Sequence, residues 1–349
     1  MSFIITLIAL GFIIFIHELG HLLAAKKAKV GVTEFAVGMG PKVTSFHFKG
    51  TMYSLRALPF GGFIKAKGME DLEPCPVEED YREKSILSRA SILVAGSFMN
   101  VLFGYLMFVF IFFFVGQHQL SPVIQGVSDG SPAQEQGLSV GDEILRINNQ
   151  PVTNVQEDII DVIQASNGES ITLDILTGGE QIRVTLSPKK NEAGVPLIGV
   201  SFQSTPRPVG LGSALQLGVK KTAQVIGQSF KGLGLIATGK ANVKELAGPV
   251  GIVQMASSQV NRSFVSFLSI LAFISISLGI INLLPLPVLD GGHLLFLLIE
   301  AFRGKPLSSR LQTAIHNVAA ACLIALMVFI VFNDIISWND RSLIMETKQ

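Results

Sequence analysis

"FIIFIHELGHLLAAKK", residues 12–27, places two histidines and a glutamate in the middle of an apolar run. Without His17, Glu18 and His21 the stretch reads as an ordinary membrane helix. A charged group near the bilayer centre costs at least about 2.5–3.5 kcal/mol. Three polar groups so close together therefore need a purpose. The rest of the chain supports a membrane setting. Of its 349 residues only 15% are charged and 49% are hydrophobic, with mean hydropathy +0.50. Soluble globular chains carry about 25% charged residues. The formal net charge of +1 leaves no basic excess for a nucleic-acid partner. Cys75 falls in an acidic loop and Cys322 in an apolar run, which argues against a disulfide framework.

A spanning helix needs about 20 apolar residues. Four runs qualify: 3–25, 90–115, 264–288 and 313–332. The lysines of the first run follow it rather than precede it, so it is expected to stay as a span and not to be cleaved as a signal peptide. Lys26, Lys27 and Lys29 close that run; Arg82, Lys84 and Arg89 flank the second; Arg303, Lys305 and Arg310 separate the last two. Short basic connections face the cytoplasm. The chain then begins and ends outside, and residues 116–263 lie outside as well. The expected fold is a polytopic α-helical membrane protein of four transmembrane helices, with an extracytoplasmic α+β domain inserted between spans two and three.

That insertion reads as a compact module over 119–203. Residues 121–152 alternate strand and turn. Residues 154–166 carry Val155, Ile159, Val162 and Ile163 on one helical face, with Asn154 and Glu157 as a capping pair. "ITLDIL" and "QIRVTL" flank "TGGE" as a hairpin, and "GVPLIGVSF" closes the module. The stretch "GLSVGDEILRINNQPV" resembles a PDZ domain, which implies a groove that binds peptide C-termini or a filter that excludes bulky ectodomains. Residues 204–262 form a juxtamembrane helical region, with Leu211, Leu215, Val219, Ala223, Ile226 and Phe230 able to line one face. That helix is read as lying on the outer membrane surface or packing on the module. On the cytoplasmic side, 43–68 is strand-forming, broken at Gly50 and at Gly61-Gly62. Residues 70–80 are an acidic loop.

His17 and His21 are four apart and share one helix face, so both imidazoles can hold one Zn²⁺. Glu18 lies beside them, placed to take a proton from water. This is the H-E-x-x-H pattern of zinc peptidases. A catalytic zinc takes three protein ligands and keeps a fourth position open. The third ligand is sought in "INLLPLPVLDGGHLL", 281–295, where Asp290 and His293 both compete. Pro285 and Pro287 forbid a regular helix there. Irregular backbone at membrane depth is tolerated only in a protein-lined or wet cavity. Depth supports the pairing. Glu18 lies about 10 Å inside the lysine end of its helix at 1.5 Å per residue, and Asp290 follows its own span at the same end. Inverting the topology would leave them together.

With "HELGH" in span one, "NLLPLPVLDGG" after span three, a PDZ-like module between spans two and three, and "AGPVGI" at 247–252, nearly the whole chain resembles the site-2 protease family of intramembrane zinc metalloproteases. The likeness is to its bacterial branch, typified by the regulator of sigma-E protease. The resemblance implies zinc ligands His17, His21 and Asp290, with Glu18 as catalytic base. It implies that Asn282 and the Pro285/Pro287 segment hold the substrate backbone. Gly61, Gly62 and Phe63 match the family's membrane-dipping β-element, which presents an edge to unwound substrate. "AGSFMN", 95–100, matches a second-span motif that turns Asn100 toward the site; Ser97 stands where a proline is usual. There is one PDZ-like module where the best-known members have two. The expected function is cleavage of transmembrane segments of proteins already trimmed by another protease, with anti-sigma factors or remnant signal peptides as substrates. The expected location is the bacterial inner membrane, in contact with lipid. Two other classes share parts of the pattern. An inactive membrane-anchored PDZ scaffold would not need both Glu18 and Asp290. A zinc-dependent transporter would need polar residues along several spans, whereas spans two and four offer only Asn100, His316 and Asn317.

Overall fold

Helix α1 (Ser2–Lys27) carries the histidine pair, and two residues past its end Lys29, with a backbone φ of 56°, turns the chain away. The computed structural model describes residues 2–69, 76–191, 194–240 and 248–336. Cys75 and most of the acidic loop lie outside these, as does Ala247. After α1 come β1 (Val32–Phe48) and β2 (Thr51–Ala66), earlier and longer than the expected 43–68. Their pairing folds back on itself. Val32–Val37 matches Gly62–Ala66, Lys42–Phe48 matches Thr51–Arg56, and 34–37 also faces 52–55. Phe35, Val32 and Ala66 pack on Leu22 and Ala25 of α1. Glu34 is buried in this layer and accepts from Ser54 Oγ at 2.7 Å and Arg56 Nη2 at 2.7 Å. Burial raises its pKa, but the hydrogen bonds from Ser54 and Arg56 outweigh that and hold the carboxyl below its usual range. Two short 3₁₀ turns, Val77–Glu79 and Tyr81–Glu83, lead into α2 (Ile86–Phe114).

The chain forms two units, residues 1–112 with 210–349, and residues 113–209. The second unit holds β3 (Gln117–Val127), α3 (Pro132–Glu135), β4 (Glu143–Ile147) and β5 (Gln150–Pro151), then a π-helical turn Val155–Ile160 that runs into α4 (Asp161–Ala165). It continues with β6 (Ile171–Thr177), β7 (Glu180–Leu186), β8 (Lys189–Lys190), β9 (Pro196–Leu197) and β10 (Val200–Arg207). The main sheet is ordered β10-β3-β4-β6-β7, which leaves β10 at an edge. Alternation along β6 sends Ile171, Leu173 and Ile175 into a core with Ile124, Ile144 and Ile159. The expected capping pair is half right. Asn154 accepts from Gln156 N at 3.0 Å, but Asp158, not Glu157, reaches back to Thr153 N at 2.6 Å and Asn154 N at 2.7 Å. The wider π turn moves the return position one residue along.

Back in the first unit follow α5 (Leu211–Ala237), α6 (Pro249–Arg262), α7 (Phe264–Asn282), α8 (Asp290–Arg303) and α9 (Ser309–Ile336). α1, α2, α7 and α9 are each long and apolar enough to cross a membrane. α7 stops at Asn282, short of the expected 288, because Pro285 and Pro287 cannot continue it. Small residues let the helices meet. Gly20 abuts the Ala95 carbonyl, Gly104 abuts Ile276, and Gly279 abuts the Ser97 carbonyl. Ile13 packs on Phe267 and Leu271. α5 packs along α2 and α7: Gly218 lies on Val109 and Tyr105, and Ser229 meets Ser277 at 3.3 Å. Both contacts are with helices of the same unit. Asp334 caps α6, accepting from Gly248 N at 3.1 Å and Gly251 N at 2.9 Å.

Candidate metal centre

The i, i+4 spacing turns His17 and His21 to the same side of α1, where both are buried. Asp290, the first residue of α8, meets them. His17 Nε2 lies 3.2 Å and His21 Nε2 3.3 Å from Asp290 Oδ2, and the two Nε2 atoms are 3.2 Å apart. These three side chains form the one group of possible metal ligands among the described residues. Their mutual spacing is close to the roughly 3.3 Å edge of a tetrahedron with 2.0 Å bonds, the zinc–nitrogen length.

The protonation pattern also asks for a cation. His21 Nδ1 donates to the Ile92 carbonyl at 2.8 Å, which leaves Nε2 as a bare lone pair. Asp290 Oδ2 is buried and takes no hydrogen bond. The Asn100 amide lies 3.3 Å from His17 Nδ1. If Nδ2 faces the ring, Asn100 Oδ1 is buried without a partner. The opposite setting of the amide lets Oδ1 accept from Nδ1–H and frees His17 Nε2 for a metal; the choice is an assignment from the hydrogen-bond network. In that assignment the lone pairs of three ligand atoms converge with no ring proton between them. One cation would satisfy all three at once, so the residues fit zinc.

α2 supplies the back wall. Ile92, Gly96 and Asn100 recur every four residues on one face. A Cβ on Gly96 would lie 2.3 Å from His21 Nε2 and 2.8 Å from His17 Cε1. Ser275 Oγ donates to the Asn100 carbonyl at 2.8 Å and ties this wall to α7. Sequence reasoning gave Gly96 and Ile92 no role. The i, i+4 glycine–asparagine pair in a chargeless span was the available signal.

A cleft of about 260 Å³ opens beside the ligands, lined among others by Glu18, Gly61, Gly62, Asn282, Leu289 and Asp290. Gly62 sits against Glu18: a Cβ there would come within 2.9 Å of Glu18 Cγ. The Asn282 amide lies 3.1 Å from His17 Nε2. The remaining expected residues stand apart. Phe63 points to the other face of β2, its ring 4.7 Å from the Arg56 guanidinium. Pro285 is not among the lining residues of the cleft, and Pro287 lines a separate apolar groove with Ala314 and Val318 while its carbonyl accepts from His316 at 3.0 Å. His293, the rival third ligand, faces His316 at a ring distance of 6.0 Å and is outside the ligand group.

A histidine pair and a glutamate on a helix long and apolar enough to cross a membrane, met by an aspartate from the helix that follows another such span, define the class: an intramembrane zinc metalloendopeptidase. The chain belongs to peptidase family M50, whose profile matches residues 5–326. A Clostridium acetobutylicum protein provisionally named a zinc metalloprotease is 35% identical, over 96% of this chain and 98% of that one. The zinc metalloprotease RasP of Bacillus licheniformis is 27% identical, over 93% and 96%. Among solved structures, the PDZ domain of an SdrC-like protein from Listeria monocytogenes matches 23% of this chain and 84% of its own, at 24% identity and TM-score 0.22.

Proposed function

We propose that His17, His21 and Asp290 hold the zinc ion and that Glu18 is the general base for cleavage of substrate segments within the membrane. The observation that carries this reading is the triangle of ligand atoms, 3.2–3.3 Å on each side, opening on the cleft that Glu18 lines. Zinc bound there supplies a Lewis acid for the scissile carbonyl. Glu18 takes a proton from the attacking water and passes it to the amine that leaves. A helical substrate must first unwind, and its freed amides need partners. Gly61 and Gly62 offer bare backbone at the cleft wall, and Asn282 offers a side-chain amide beside the ligands.

The module takes a second role in this reading. β10 is an edge strand, and a cavity of about 270 Å³ lies along it, lined by Ile160, Ile163, Leu197, Val200 and Phe202. An open edge next to an apolar pocket suits an added peptide strand ending in an apolar C-terminus. Substrates would then be membrane proteins already trimmed by another protease, anti-sigma factors and remnant signal peptides being the types the resemblance implies. The basic clusters at Lys26, Arg82 and Arg303 support a catalytic side facing the cytoplasm and a module outside. A cysteine introduced at Gly178 should react with a membrane-impermeant maleimide from outside in intact cells; labelling only after lysis would reverse the topology.

Glu18→Gln tests the assignment. Cleavage of a labelled transmembrane substrate should fall on the order of 100–10,000-fold, the usual contribution of a general base, while zinc content per chain stays at the wild-type level. Cleavage at the wild-type rate would refute the role of Glu18.

A further inference from the structure

α8 brings Asp290 to the histidines, yet little of it is buried. Gly291, Gly292 and Leu297 are its buried residues, while Leu295, Leu298 and Phe302 are exposed. The segment before it, 283–289, contains two prolines and forms turns rather than regular helix. At its start the two glycines rest on backbone: a Cβ on Gly291 would meet the Leu283 and Leu284 carbonyls at 2.2–2.3 Å, and one on Gly292 the Leu286 carbonyl at 2.3 Å. Beyond that end its packing is light, with Leu297 buried and His293 facing His316, and a turn of the helix about its own axis would swing the Asp290 carboxylate off its target.

Near the far end lies an ion pair. Arg89 donates through Nη1 to Glu300 Oε2 at 3.1 Å and through Nη2 to Glu300 Oε1 at 2.5 Å. The side chains are 10% and 16% exposed. Two parallel bonds of this kind fix orientation as well as distance. Arg89 stands on α2, whose Ile92 carbonyl holds His21 and whose Asn100 faces His17. One helix thus indexes all three ligands: two directly, the third through Glu300 and about 15 Å of α8 at 1.5 Å per residue.

We propose that Arg89 and Glu300 form a positioning ion pair that sets the rotation of α8 and so keeps Asp290 in register with His17 and His21. The proposal rests on the reading of those three residues as the zinc ligands.

The test is the zinc dissociation constant of full-length protein in detergent, measured by competition with a chromophoric chelator. Arg89→Met and Glu300→Gln should each weaken zinc on the order of 10–100-fold, as loss of a supporting contact does. Cleavage should then be lost at limiting zinc and return in excess zinc. The exchanged pair, Arg89→Glu with Glu300→Arg, should recover affinity. Arg89→Lys keeps the charge but loses the fork, so it should fold and still bind zinc more weakly. If the single variants lose thermal stability yet bind zinc as wild type does, the pair is only a brace and the proposal is overturned. Asp290→Ala separates the two readings: if it too binds zinc normally, the ligand assignment has failed and the clamp falls with it.

Discussion

At the scale of single residues the site depends on what α2 does not carry. Gly96 leaves room for two imidazoles, and a methyl group there would sit 2.3 Å from His21 Nε2. Gly96→Ala should therefore weaken zinc by at least about tenfold and abolish cleavage at limiting metal, read as zinc retained after dialysis. Asn100 offers a sharper test, because the assignment of its amide makes a chemical distinction. If Oδ1 accepts from His17 Nδ1–H, Asn100→Asp keeps the acceptor and keeps zinc, whereas Asn100→Leu loses on the order of 10–100-fold in affinity. Equal losses in both would mean that the amide donates. The proposed histidine ligands were legible because their chemistry sits in side chains at helical spacing within an apolar run. The Ile92 carbonyl was not, because a backbone acceptor leaves no mark in composition or periodicity. The space over Gly96 showed only as a glycine four residues before Asn100.

Elements decide how the cleft is shaped. β2 presents Gly62 to Glu18, with a substituted Cβ only 2.9 Å from Glu18 Cγ and 3.0 Å from the Ala36 carbonyl. Gly62→Ala should leave zinc affinity unchanged and lower kcat/KM on the order of 100-fold, since a misplacement of about 1 Å costs that much. A parallel loss of zinc would mean that β2 supports the ligands as well. The turn before α2 gives a pH signature. Tyr81 is buried beside Arg89, and burial pushes its phenol up to about 12. The unfolded value is about 10. A folded pKa raised above the unfolded one adds stability that is complete below pH 10 and lost as pH rises toward 12. One of the three tyrosines should ionise near pH 12 by phenolate absorbance, and that step should vanish in Tyr81→Phe. The four spans were readable from their apolar length. α8 was not, because the prolines that end α7 mask a new helix starting at Asp290. The early start of β1 was hidden for a similar reason, since Gly38 and Gly40 at φ 87° and 83° interrupt the strand pattern.

At the scale of the whole molecule the two units keep separate cores. Ile124, Ile144, Ile159, Leu173 and Ile175 close the module's interior with residues of that unit alone, while α1, α2 and α7 pack on one another through Ile13, Gly104 and Ile276. Each side of the zinc triangle comes from the membrane unit. A ligand that binds only the folded state stabilises the unit that holds it by RT ln(1 + [L]/Kd), about 2.7 kcal/mol at a hundred times Kd. Thermal unfolding in detergent should then show two transitions. The one belonging to the membrane unit should fall when a chelator strips zinc and return when zinc is restored. The module's should not move, and an excised segment 117–207 should unfold at the same midpoint. The exchange Arg89→Glu with Glu300→Arg should leave the module's transition alone, whatever it does to the other. Two transitions that both shift with zinc would show that the cores are coupled, and the module would then act on the ion site through the fold rather than through the substrates it admits.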